Sequence, residues 1–129
     1  MGEQSAKRFG AAIFIHPDKY EEYKTLHDNI WPEVLQRLKT SNIRNYTVYY
    51  CDKLNLLFSH LEYIGSDFAE DVKAISSDLK FREWWKICEP HQKPIEHEGK
   101  PPSEGGQGNW WYPCAETWHD GLSATSYKS

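Results

Sequence analysis

Apolar and polar positions along this chain follow two different periods, and the switches between them mark out the elements. Residues 9–15 form a short apolar run bounded by His16-Pro17-Asp18, too short for a helix, and predict a buried strand. A 3.6-residue period follows. Tyr20, Tyr23, His27, Ile30, Val34 and Leu38 share one face, and Glu21 and Glu22 stand in the first turn, where the helix dipole favours acids. Pro32 lacks an N–H and disfavours helical backbone at Trp31. The segment is therefore a kinked helix or two helices parted over residues 28–30. The break is the favoured reading, with a second helix opening at Pro32 and ending near Ser41-Asn42. It places His27 in the last turn of the first helix, where the negative dipole end favours an imidazolium.

A period of two then takes over. Residues 43–50 are β-branched and aromatic and predict a strand, with Arg44, Tyr46, Val48 and Tyr50 on one face and Ile43, Asn45, Thr47 and Tyr49 on the other. A polar turn at 51–55 joins it to a partner strand over 56–63, and Gly65-Ser66-Asp67 offers an N-cap. Phe68, Val72, Ile75 and Leu79 repeat at helical spacing, so a third helix is expected through Leu79, followed by a short helical turn over 81–90 closed by Pro90. Residues 91–109 are rich in Pro, Gly, Glu and His without a period and predict a long mobile loop, with His91 and His97 solvated. A last strand is expected over 110–118, at an edge or bulged because of Pro113. Polar tails complete the chain at 1–7 and 121–129.

Strand, helices, strand, strand, helix, strand is the split βαβ order of ferredoxin-like domains. The expected fold class is thus α+β: one domain over 1–129, with a four-stranded antiparallel sheet and helices on one face. The other face carries aromatics at alternate positions and should not stay bare, so a homodimer is the default expectation.

A length of 129 residues fits one core that needs no disulfide or metal to fold. The net charge of −4 and the lack of any Lys/Arg run exclude nucleic acid and anionic membrane as expected partners. Cys51, Cys88 and Cys114 are odd in number and far apart, which reads as free thiols in a reducing compartment. No signal peptide, myristoylation pattern or membrane-length apolar run is present, and a cytoplasmic protein is expected. The Asn45-Tyr46-Thr47 sequon lies in a strand and is taken as accidental. Aromatics reach 15%, with six Trp and eight Tyr in a hydrophilic chain. A core and a subunit interface absorb some of these rings. The rest suit a cleft, and flat faces edged by polar groups suit sugar rings.

No nucleophile elbow, phosphate loop, close carboxylate pair or zinc motif occurs, so neither a metal nor another cofactor is expected. What the fold could gather is Tyr23 and His27 on the first helix, Tyr46 on the second strand, and Trp84-Trp85. An inward His is more often a hydrogen-bonded core residue than a catalyst. Such a set could nonetheless bind a polyol and move protons, which suits a reaction of modest barrier such as opening a cyclic hemiacetal.

The chain also resembles the L-rhamnose mutarotase family. The carrying residues are Tyr23-x-x-x-His27-x-x-Ile30-Trp31-Pro32-Glu33, Ile43-Arg44-Asn45-Tyr46, Glu62-Tyr63, Trp84-Trp85-Lys86 and Glu116-Thr117-Trp118-His119, in the family's order. The resemblance implies a dimeric α/β barrel and a cofactor-independent isomerase that interconverts the α and β anomers of L-rhamnose. It implies His27 as the proton donor and Tyr23, Tyr46, Trp84 and Trp85 as sugar-binding residues. Two stretches depart from the family pattern: the long loop after Pro90, and Pro113-Cys114-Ala115 before the last Glu. Both touch the rim of the implied pocket, which leaves L-fucose or another deoxyhexose as an alternative sugar. The rival readings are a non-catalytic small-ligand-binding or dimerisation module, and another cofactor-free proton-transfer enzyme on the same fold.

Overall fold

Strand β1 (Lys7–Ile15) runs through the middle of the sheet and carries its most buried residue, Ile13. A computed structural model describes residues 6–121, so the tails expected at 1–7 and 121–129 lie, apart from residues 6, 7 and 121, outside the described residues. After a 3₁₀ turn at Pro17–Lys19 come α1 (Tyr20–Asp28) and α2 (Pro32–Thr40). The helix breaks as the proline requires: Trp31 is extended at φ −64, ψ 138, and Pro32 opens α2. Asn42 reverses the chain with φ 65. Strands β2 (Ile43–Cys51) and β3 (Leu56–Tyr63) then form the expected hairpin, and β3 pairs antiparallel with all but the last residue of β1.

The helical stretch after β3 divides differently from the periodic reading. Helix α3 (Phe68–Ser76) stops before Leu79, and α4 (Leu79–Cys88) is a full ten-residue helix rather than a short turn. Asp78 is the cause. Its side chain accepts hydrogen bonds from the backbone N–H of Lys80 (2.9 Å) and Phe81 (3.1 Å) and an ion-paired one from Arg37 Nε (2.8 Å). An Asp that caps a new helix beats the continuation of an apolar stripe.

The expected final strand over 110–118 is reduced to β5 (Tyr112–Cys114), which pairs with Gly10–Ala12 of β1. The rest of that β1 edge is taken by β4 (Gln92–Lys93), opposite Phe14 and Ile15. Two short strands thus share the fourth position, and the sheet order is β2-β3-β1-β4, with β5 beside β1. Pro113 has no N–H to extend the ladder. This is the ferredoxin-like split βαβ arrangement foreseen, with one edge in two pieces.

Ile13, Ile15, Leu57 and Tyr63 of the sheet pack against Tyr23, Val34, Ile75, Phe81 and Trp84 of the four helices, so the helices cover one face. On the opposite face Phe14, Tyr49 and Phe58 remain exposed. Among the described residues no helix is long and apolar enough to cross a membrane.

The strand alternation in β2 is interrupted. Between Arg44 and Thr47 the β2–β3 register slips, and Asn45 adopts the left-handed φ of 51. The extra residue is a β-bulge. It leaves Ile43 on the covered face together with Val48 and Tyr50, and sets Arg44 opposite Glu62, so the two-residue alternation expected over 43–50 does not hold through its first half.

Candidate functional site

A cavity of about 560 Å³ is walled by α1, α2, α4, β2 and the ends of the 92–111 segment. That volume lies in the range of roughly 300–1,000 Å³ common to small-molecule sites. All of the side chains singled out from the sequence, Tyr23, His27, Tyr46, Trp84 and Trp85, line it. They come from three elements, α1, β2 and α4, and the bulge at Asn45 interrupts β2 beside Tyr46.

Tyr23 and His27 stand one helical turn apart, and their rings stack at 4.2 Å and 29°. His27 Nδ1 lies 2.9 Å from the Tyr23 carbonyl oxygen. A carbonyl only accepts, so Nδ1 carries the hydrogen, and Nε2 of the neutral ring keeps its lone pair. The helix-end position of His27 is as expected, but its effect is outweighed. Burial lowers the His27 pKa below its ordinary value, and the bond to the Tyr23 carbonyl opposes this only in part. The resting group is therefore a neutral imidazole with a free nitrogen, not a stored imidazolium.

Trp84 is buried and meets His27 edge-on at 5.4 Å, while its ring also packs against Trp31 at 5.4 Å. Trp31 serves the core and supports the cavity from behind. Trp85 is half-buried and braced by Phe81 at 5.3 Å. Tyr46 keeps 44% of its surface open and Val48 keeps 37%, because the cavity mouth lies over this part of β2.

Several neighbours were not legible beforehand. Cys88 lines the cavity, but burial, helped by nearby Glu89, pushes its thiol up to about 12, so it is an inert wall and not a nucleophile. His91 is buried at 6% exposure and not solvated. The 3₁₀ turn Glu89–His91 folds it back onto α1, where Nε2 lies 2.9 Å from the Glu22 carboxylate and Nδ1 lies 3.3 Å from the Cys88 carbonyl. Gln92 and Trp111 complete the cavity wall. The Tyr23 hydroxyl accepts a hydrogen bond from Gln92 Nε2 (3.0 Å), and Trp110 Nε1 donates to Gln92 Oε1 (2.8 Å). The loop after Pro90 is tied down by these bonds, by Glu89 accepting from Ser103 N (2.9 Å) and Ser103 Oγ, and by His97 against Trp110 at 5.3 Å. The composition of the segment, which predicts a mobile loop, does not disclose these pairings, because each joins residues far apart in sequence.

Residues 8–120 match the family model described as L-rhamnose mutarotase. The L-rhamnose mutarotase of Bacillus subtilis is 34% identical over 87 residues, covering 67% of this chain and 81% of that protein. The chain belongs to the L-rhamnose mutarotase family. Another mutarotase of that name, from Oceanobacillus iheyensis, is 32% identical over 87 residues, again across 81% of its length. A crystal structure of an L-rhamnose mutarotase from Formosa agariphila superposes with a TM-score of 0.67, covering 88% of this chain and 97% of that one at 18% identity, which is a likeness of fold. The fold shared with that structure is an antiparallel sheet roofed by helices, and in this chain helices α1, α2 and α4 wall the aromatic cavity.

Proposed function

We propose that this protein interconverts the α and β anomers of L-rhamnose by proton transfer at His27. The observation that carries the reading is a neutral imidazole with a free Nε2 on the wall of an aromatic cavity of about 560 Å³. Nε2 takes the proton of the anomeric hydroxyl. The carbonyl forms at that carbon as its bond to the ring oxygen breaks, and the imidazolium returns the proton to the ring oxygen, which becomes a hydroxyl. Rotation about the adjoining carbon–carbon bond and the reverse steps close the ring on the other face. Both oxygens hang on one carbon, so one imidazole reaches each in turn, first as base and then as the proton donor that the family likeness implies. Tyr23 and Tyr46 orient the hydroxyls, and Trp84 and Trp85 offer faces to the C–H side of the ring or its methyl group.

The protein pairs as a homodimer through the outer sheet face, on which Phe14, Tyr49 and Phe58 lie exposed, while each cavity stands within one subunit. The three cysteines, all free, favour a cytoplasmic setting. Saturation-transfer NMR between the two anomers of L-rhamnose tests the function. The wild type should exchange them faster than buffer, and His27→Ala should lose roughly 10²–10⁴-fold of that acceleration. Exchange no faster than buffer would end the mutarotase reading. The same spectra with L-fucose, D-glucose and D-galactose decide the sugar.

A further inference from the structure

Trp110, Gln92 and Tyr23 form a line of hydrogen bonds whose direction is fixed at one end. An indole N–H only donates, so the Gln92 atom 2.8 Å from Trp110 Nε1 must be the amide oxygen. The other end of the amide is then the NH₂ group, 3.0 Å from the Tyr23 hydroxyl, and the phenol oxygen must accept there. The Tyr23 proton is left pointing elsewhere, and among the described residues the hydroxyl donates no hydrogen bond. Tyr23 is 4% exposed and lines the cavity. A buried hydroxyl that is supplied with a donor but given no acceptor is matched to an acceptor that arrives with a ligand.

We infer that Trp110 and Gln92 are positioning residues that hold Tyr23 as a hydrogen-bond donor to an oxygen of the bound sugar. Neither Gln92 nor Trp110 has been given a role in the reaction above, and Gln92 comes from the long loop in which this chain departs from the family pattern. The inference rests on the mutarotase reading and adds the orientation of one of its groups. Burial raises the Tyr23 pKa, which keeps the phenol a donor and not a phenolate. An oxygen that gains negative charge as the ring opens takes a stronger hydrogen bond than the same oxygen in the resting sugar. Loss of the donated bond therefore falls on kcat more than on KM.

Trp110→Phe keeps an aromatic ring, smaller than the indole, and removes the N–H, so the Gln92 amide is free to flip and offer its oxygen to Tyr23. Anomer exchange should fall about tenfold in kcat with KM little changed. Gln92→Glu, which accepts from both neighbours, should give the same loss while keeping the Trp110 bond. In a Tyr23→Phe background neither change should lower the rate further. A wild-type rate in both variants, or losses that multiply with that of Tyr23→Phe, would overturn the inference. A readout independent of activity is the ¹³Cζ resonance of Tyr23, assigned by its disappearance in Tyr23→Phe. It should shift in Trp110→Phe and further in Gln92→Glu, as the phenol turns from acceptor to donor, and an unmoved resonance would refute the orientation even if no sugar were turned over. Conversely, a shifted resonance with a wild type no faster than buffer would condemn the mutarotase reading alone.

Discussion

His27 owes its character to two opposed influences that differ in reach. The helix end and the Tyr23 carbonyl favour the charged ring through a few partial charges, while burial removes water from the whole ring, and burial wins. Only the first is legible in the sequence, because spacing reveals where a side chain sits on a helix but not what closes over it. The consequence is a pH profile. The free base is the form that starts the reaction, so kcat/KM for anomer exchange should be flat from neutrality down past the ordinary histidine value of about 6.5 and fall only below it. A limb at or above that value would contradict the buried, neutral imidazole. The same shift is a stability statement. A histidine whose folded pKa is lowered contributes fully above its unfolded value, and the contribution is lost as pH falls through the window below about 6.5. Urea midpoints of wild type and His27→Gln, compared at pH 7 and pH 5, should show the larger drop in the wild type.

At the scale of elements, what was legible followed a period and what was not depended on a single residue breaking one. The β1 run, the helix pair split at Pro32 and the β2–β3 hairpin all stood where repetition and proline chemistry put them. The division between α3 and α4 did not, because Leu79 continues the apolar spacing while Asp78 supplies a cap that only its geometry discloses. Asp78→Ala should cost about 1 kcal/mol of unfolding free energy, seen as a lower denaturant midpoint at unchanged slope. The β2 bulge is a second case. Asn45 tolerates φ 51, and Asn is among the residues most at ease there, but nothing in an alternating strand announces a left-handed position. Asn45→Val should lose about 1–2 kcal/mol of stability and re-aim Tyr46, lowering anomer exchange, whereas Asn45→Gly should keep both closer to wild type. Equal activity in the two variants would show that the bulge does not set the position of Tyr46. The pairings of His91 with Glu22 and of Trp110 with Gln92 were beyond any local pattern, since 69 and 18 residues separate the partners.

The whole molecule has one roofed face and one open one. Helices bury Ile13, Leu57 and Tyr63 on the inner side of the sheet, and across the same strands Tyr49 stacks on Phe58 at 5.2 Å and 21° with both rings exposed. Tyr49 lies opposite Phe58 and Phe58 opposite Ala12, so these residues form a continuous row across three strands. Two copies related by a two-fold axis could cover this row against itself, the self-complementary contact that the commonest closed assemblies use. Sedimentation equilibrium should then give twice the chain mass of 15.1 kDa. Tyr49→Glu combined with Phe58→Glu sets carboxylates opposite one another in that contact and should give monomers, since unpaired charge is expensive to bury. The cavity lies on the helical side of the sheet, so the monomeric variant should retain its fold by far-ultraviolet circular dichroism and keep anomer exchange. A variant that stays dimeric would move the interface elsewhere. Loss of activity in a folded monomer would instead mean that the second subunit helps to shape the cavity across the sheet.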